Sequence, residues 1–339
     1  MSKMFLKKVW KLTIQLGVCK LQQKAPIKLD DRIYILDGFD LGLEERTGTY
    51  VIMEEDITLV DTGPSTSIPY VKKGLETLGI SLDQIKYIIA THVHLDHSGG
   101  AGLLMTECPN AKAVVHPRGA RHLADPSRLV AGARAVYGER FDELFDPVVP
   151  IPEDRILEMT EGDTLKIGEA CTLEFWDTPG HANHHIGIYD PVSNGIFIGD
   201  TAGIRYEPLI QDGVEFFPPS TSPNQFDPDK MQQSIDRFMA KNLDVIYFGH
   251  FGASTSPNET LHQVSEWLGV FMEEAKAAAA KREGHAALTE RILTRVRTHL
   301  RELGVPDDHR AYKMIELDMD VSAMGIVDYL EKSAKRVEG

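Results

Sequence analysis

A short apolar run, Lys86-Tyr-Ile-Ile-Ala90, leads without a break into Thr91 and then His92-Val-His94-Leu-Asp96-His97, and Ser98-Gly99-Gly100 opens a helix directly after it. A β-rich run of that length predicts a buried strand, so the titratable cluster falls on a strand-to-helix loop. This placement constrains the fold strongly. In α/β proteins a rigid strand fixes such a loop while leaving it accessible, and reactive groups gather there. The surrounding sequence agrees with it: Ile33 to Leu36, Tyr50 to Met53, Ile57 to Val60 and Ala113 to Val115 read as strands, as do Thr172 to Trp176, Ile186 to Tyr189, Ile196 to Ile198 and Val245 to Phe248. They alternate with helical patterns, which predicts a mixed α/β architecture.

After Asp61-Thr-Gly-Pro64, a turn signal, a helix is expected with Ser67 as its cap, Val71, Leu75 and Leu78 on one face, and Gly79 as its end. Ala120 to Phe145 reads as two charged helices, placed to serve as a lid. Glu215 to Pro223 is a Pro-rich loop. From Pro257 the pattern is helical to the end, with no Gly/Ser linker before it. The expected organisation is a lead-in segment over 1–30, a catalytic α/β domain over 31–256, and a helical extension over 257–339 packed on that domain, either covering the site or forming a homodimer interface.

With 339 residues, 42% apolar and 26% charged, the chain can bury a large core without staples. Its formal charge of −15 repels phosphate backbones and anionic membranes, so a small-molecule substrate is expected, with neither nucleic acid nor membrane as partner. Two bound dications would offset only part of that charge. Cys19, Cys108 and Cys171 form no CxxC pair, which argues against a thiolate zinc site and fits a reducing cytoplasm. The apolar stretch from Leu12 to Leu21 is too short and too interrupted to span a bilayer. Leu16-Gly-Val-Cys19 only faintly resembles a lipoprotein cleavage box, because Val18 is large where a small residue is needed.

Seven of the 13 histidines fall in three clusters: His92, His94 and His97; His181, His184 and His185; then His250. Alternate spacing on an extended segment projects His92 and His94 the same way, while Asp96 and His97 turn toward a neighbouring position. That pattern suits two adjacent ions. Imidazole with carboxylate and no thiolate favours zinc, iron or manganese at a hydrolytic centre.

Thr91-His-Val-His-Leu-Asp-His97-Ser-Gly-Gly100 resembles the signature of the metallo-β-lactamase-fold hydrolase superfamily. The superfamily's other landmarks follow in order: Asp61 in Val-Asp-Thr-Gly, His181 in Thr-Pro-Gly-His, Asp200 in Ile-Gly-Asp-Thr and His250 in Phe-Gly-His-Phe-Gly, so the resemblance covers residues 32 to 252. It implies an αββα sandwich with a site at one edge. It further implies that His92, His94 and His181 hold one metal, that Asp96, His97 and His250 hold the other, that Asp200 bridges them, and that Asp61 orients the loop and its imidazoles. Two divalent ions, zinc first and iron or manganese as alternatives, would lower the pKa of a shared water and polarise the scissile bond. Asp96 and Tyr206 are the candidates for protonating the leaving group.

His184 and His185 are expected to hydrogen-bond neighbouring loops rather than ligate, and His116 and His122 to lie at the surface. Phe216, Phe217 and Phe226 suit an apolar substrate wall or core anchoring equally. The expected reaction is hydrolysis of a small ester, lactone or thioester. A Phe-Gly-His-Phe-Gly segment where glyoxalase II shows Cys-Gly-His-Glu-Tyr disfavours glutathione thioesters. Alternatives are a phosphodiesterase or phosphotriesterase, and a mononuclear iron dioxygenase acting on persulfides.

Overall fold

The computed structural model describes residues 24–338. Most of the lysine-rich lead-in, including Cys19 and the stretch from Leu16, lies outside them. The first sheet begins as an antiparallel meander of β1 (Ile27–Lys28), β2 (Ile33–Asp37), β3 (Gly48–Ile52) and β4 (Ile57–Val60). Helix α1 (Ile68–Thr77) then crosses to β5 (Ile85–Ile89), which runs parallel to β4. The short helices α2 (Leu95–Ser98) and α3 (Ala101–Met105) lead to β6 (Lys112–Val115); α4 (Pro117–Ala124), α5 (Ser127–Tyr137) and α6 (Phe141–Phe145) lead to β7 (Ile156–Glu158). The order is β1-β2-β3-β4-β5-β6-β7, with the last four strands parallel.

The second sheet holds β8 (Thr164–Lys166), β9 (Thr172–Asp177), β10 (Ile186–Asp190), β11 (Gly195–Gly199), β12 (Val245–Phe248) and β13 (Ala253–Ser254), again neighbour to neighbour in chain order. Only β11 and β12 are parallel, because α7 (Glu207–Gln211) and α8 (Pro228–Ala240) lie between them and carry the chain back. The final helices are α9 (Pro257–Ala280), α10 (His285–Glu302) and α11 (Tyr312–Glu338).

Strand periodicity explains the layering. Every second residue turns inward, so Ile33, Ile35, Tyr50 and Ile52 of the first sheet meet Leu173, Phe175, Ile186 and Ile188 of the second in one buried cluster. The outer faces are covered by helices. Leu36, Val51 and Leu59 pack on Val71 and Leu75 of α1, and Ile196, Ile198 and Ile246 share a cluster with Ile235, Phe271, Ile292 and Ile326 of the later helices. The result is an α/β/β/α sandwich, and α9 to α11 form part of its second helical layer.

Local details correct two expectations. Ser67 itself has helical dihedrals and makes no side-chain cap, because the 3-10 turn Ser65–Ser67 delivers the chain into α1 already wound. His116 is buried, and its ring accepts the Arg118 amide as the cap of α4. Gly79 does end α1, at φ +73°. Among the described residues no helix is long and apolar enough to cross a membrane.

Candidate metal centre

Every cluster named from the sequence leaves a strand at the same edge of the sandwich. Asp61 follows β4, His92 to His97 follow β5, Asp200 follows β11 and His250 follows β12. Since β4 is parallel to β5 and β11 to β12, these carboxyl-terminal ends come together, as ligand sites do in open α/β sheets. His181 follows β9, and β9 is antiparallel to β10, which is antiparallel to β11, so it reaches the same edge. The sheets are stitched there by the Ile186 amide, which donates to the Thr91 carbonyl at 2.8 Å.

Three overlapping groups of side chains converge: His92, His94 and His181; His92, His97 and Asp200; and Asp96, His97 and His250, with the ligand atoms of each group within 4.8 Å of one another. His181 Nε2 lies 2.9 Å from His94 Nδ1, and Asp200 Oδ2 lies 3.2 Å from His250 Nε2 and 3.7 Å from His181 Nε2. His97 Nε2 is 3.2 Å from Asp200 Oδ1 and 3.7 Å from Asp96 Oδ2. Asp200 thus stands between the His92-His94-His181 side and the His97-His250 side.

Supporting contacts fix the rings. The Thr91 amide donates to Asp61 Oδ1 at 2.8 Å, its hydroxyl to Oδ2 at 2.9 Å, and His97 Nδ1 lies 3.0 Å from Asp61 Oδ2. Asp61 holds this position at φ +53°, a left-handed conformation that Asp tolerates better than most residues. His181 Nδ1 faces the Ser220 carbonyl at 2.9 Å, and the Ser220 hydroxyl donates to Asp200 Oδ2 at 3.1 Å. His185 Nε2 accepts the Asp200 amide at 3.1 Å and its Nδ1 meets the Thr178 hydroxyl at 2.8 Å, so both ring nitrogens are engaged in bracing the strand end. Gly199, at φ +47°, makes room for that ring: a Cβ there would stand 2.3 Å from His185 Nε2.

Burial sets the protonation pattern. Burial, reinforced by neighbouring imidazoles, holds His92 and His94 well below the usual histidine range, in the neutral form that binds metal. For His97 and His250 burial opposes the charge, but the Asp200 carboxylate outweighs it and both are raised. Burial would raise Asp200, yet His250, His97 and His181 around it pull it well below the ordinary carboxylate range.

The donor atoms fit divalent ions. His92 Nε2, His97 Nε2 and Asp200 Oδ1 are fully buried and complete no hydrogen bond among the described residues, although His97 Nε2 and Asp200 Oδ1 stand 3.2 Å apart as an ion pair. Buried polar atoms without hydrogen bonds are costly, and three of them within 4.8 Å of one another form a donor set that suits a shared cation.

The donors open into a cavity of about 310 Å³, lined on one side by Leu129, Ala133 and Tyr137 of α5 and on another by Asp318, Val321 and Ser322 of α11. His94, Asp96, His181, Asp200 and His250 all face it, with His94 and Asp96 the half-buried ones. A larger groove of about 670 Å³ runs along α1 past Tyr70 and Lys73 and touches none of the donors.

Other candidates fall elsewhere. Tyr206 does not face the cavity: its ring is buried against Phe216 and its hydroxyl donates to Asp318 Oδ2 at 3.1 Å. Phe216, Phe217 and Phe226 are core residues rather than a substrate wall. His122 and His184 line the cavity. Arg46 and Asp318, both buried and paired at 2.9 Å, line it too. They are 272 positions apart in the chain and carry no local signal.

The chain belongs to the metallo-beta-lactamase superfamily, whose pattern it matches over residues 46–250. It is 26% identical over 207 residues to a metallo-beta-lactamase fold-containing protein of Sulfurisphaera tokodaii, covering 60% of this chain and 72% of that one. It is 27% identical over 148 residues to a hydroxyacylglutathione hydrolase of Polaromonas, covering 43% of this chain and only 45% of that enzyme. Among solved structures, a metallo-beta-lactamase family protein from Thermus thermophilus superposes with a TM-score of 0.62 at 19% identity, covering 91% of this chain and 95% of that one. That last likeness speaks to fold alone.

Proposed function

We propose that the protein is a metal-dependent hydrolase of a small ester, lactone or thioester, with ester or lactone first. The observation that carries the reading is the convergence within 4.8 Å of three buried donor atoms that complete no hydrogen bond, His92 Nε2, His97 Nε2 and Asp200 Oδ1, beside a cavity of small-molecule size. In this reading His92, His94 and His181 hold one ion, Asp96, His97 and His250 hold a second, and Asp200 serves both. Zinc is the first choice for a His and Asp donor set, with iron or manganese as alternatives. Two such ions would supply Lewis acidity, lowering the pKa of a nearby water toward neutral and polarising the scissile carbonyl.

The protein's own residues do the rest. Asp61 orients His97, the Ser220 carbonyl orients His181, and both keep the opposite ring nitrogen aimed at the centre. Asp96, whose side chain is 27% exposed and faces the cavity, is our candidate for carrying a proton to the leaving group. Apolar residues of α5 exclude water from one flank of the cavity and leave room for an acyl group. The kinship with hydroxyacylglutathione hydrolases keeps thioesters in the substrate class, while the Phe-Gly-His-Phe-Gly segment at His250 argues against glutathione itself. The charge of −15 and the small cavity favour a small molecule over nucleic acid.

The test is metal analysis combined with a zinc-reconstituted screen over lactones, aryl esters, thioesters, β-lactams and phosphodiesters, with Asp200→Ala as blank. Two metals per chain and ester or lactone turnover absent from the blank are expected. One iron per chain with oxygen uptake on persulfides would replace this reading with a dioxygenase.

A further inference from the structure

Residues 257–339 lie beyond the stretch matched to the superfamily, yet they reach the metal centre. Helix α11 lays one face, at three- and four-residue spacing, along the loop from Pro218 to Phe226. The Thr221 hydroxyl donates to the Ser322 carbonyl at 2.8 Å and the Thr221 amide to Ser322 Oγ at 3.4 Å. Asp328 accepts the Asn224 amide at 3.1 Å, and Tyr329 meets Phe226 edge-on with ring centres 5.7 Å apart. Between these contacts Gly325 leaves no room for a side chain. A Cβ there would stand 2.5 Å from the Thr221 carbonyl oxygen and 2.6 Å from the Ser222 carbonyl carbon, backbone atoms that cannot rotate aside.

The segment pinned in this way is the one that orients two donors. The Ser220 carbonyl faces His181 Nδ1 at 2.9 Å, the Ser220 hydroxyl donates to Asp200 Oδ2 at 3.1 Å, and the Ser222 hydroxyl donates to the His181 carbonyl at 3.4 Å. We propose that α11, through Gly325 and Thr221, positions His181 and Asp200 for metal binding, so that the helical extension is a working part of the centre. The inference rests on the two-metal reading above.

A histidine binds metal well through one nitrogen only when the other is held by a fixed acceptor, and losing such a partner weakens metal binding on the order of 10- to 100-fold. Ser220 is that acceptor for His181, and its position is set by Thr221 and Ser222, which rest on the bare backbone of α11 at Gly325. Adding one methyl at 325 must move the loop or the helix, and a moved loop carries the Ser220 carbonyl away from His181. Thr221→Val acts from the other side, removing the hydrogen bond to Ser322 while keeping the shape.

The experiment uses the full chain freed of metal, titrated with zinc against a chromophoric chelator. Histidine NMR of the metal-free protein reports whether His181 Nδ1 carries its proton. His181→Ala identifies which of the two zinc-binding steps depends on that ring. Gly325→Ala and Thr221→Val are expected to weaken that step by about tenfold or more, to disturb the His181 Nδ1 proton signal, and to leave the other step less affected. Gly269→Ala, in α9 where a Cβ meets open space, is expected to change neither. Unchanged zinc affinity in both variants overturns the inference. So does an equal loss at both steps that tracks the thermal stability of the metal-free fold, since that marks a merely structural contact. A wild-type chain that takes up no zinc would instead overturn the metal-centre reading, and this inference with it.

Discussion

His97 Nδ1 lies 3.0 Å from Asp61 Oδ2, and the same carboxylate also receives the amide and hydroxyl of Thr91. One side chain thus ties β4 to the loop after β5 and turns His97 so that Nε2 faces the donors. Asp61→Asn keeps a residue that tolerates φ +53° but removes the charge and one acceptor. Zinc affinity is expected to fall on the order of 10- to 100-fold with the fold intact, as measured by chelator competition and circular dichroism.

Metal removal bears on stability directly. A ligand that binds only the folded chain at about 1,000 times its Kd stabilises it by roughly 4 kcal/mol. Adding zinc to the metal-free protein is therefore expected to raise Tm on the order of 5 to 10 °C in calorimetry. Asp200→Ala, lacking the central carboxylate, should show a much smaller rise; an equal rise would place the stabilising zinc elsewhere.

Tyr206 provides a contrast between stability and chemistry. Its hydroxyl is spent on Asp318 inside the core. Tyr206→Phe is expected to cost about 1.5 to 3 kcal/mol of stability, the range for a hydrogen bond to a charged group, while kcat stays where it was. A collapse of kcat with unchanged denaturation would return Tyr206 to the reaction.

Asp37, at the end of β2, gives a pH signature away from the metal. Burial pushes its carboxyl up to about 6 against the two backbone amides of Phe39 and Glu45 that donate to it. A carboxyl raised in the folded state contributes stability that is fully present below its unfolded pKa, near 3.8, and is lost as pH rises through about 6. The stability difference between wild type and Asp37→Asn, followed by urea denaturation of the metal-free protein, is expected to shift by roughly 3 kcal/mol in disfavour of wild type between about pH 3.5 and about pH 7. A pH-independent difference would show that Asp37 titrates normally.

Much of this is legible in the residues themselves. The donors are close in sequence where they follow β5, and most of their strands are apolar or alternating runs, so pattern locates them. The strands that leave no such mark, β1, β7, β8 and β13, are two or three residues long and have no periodicity to read. Tyr206 reads as a neighbour of Asp200 because six positions separate them, but the chain turns at Gly203, φ +103°, and sends the ring into the core beside Phe216. Arg46, Asp318 and Gly325 are invisible for a different reason. Their roles are created by contacts between distant segments, and a glycine inside a helix reads as a weak spot until the backbone lying against it is seen.

The two sheets share the centre unequally but neither completes it: His92, His94, Asp96 and His97 hang from the first, and His181, Asp200 and His250 from the second. A chain in which only one sheet has formed therefore holds no full set of donors for either ion. If the two-metal reading holds, capture of metal would in that sense be a late event that reports the closing of the sandwich, and the captured ions would act as a rivet between its halves.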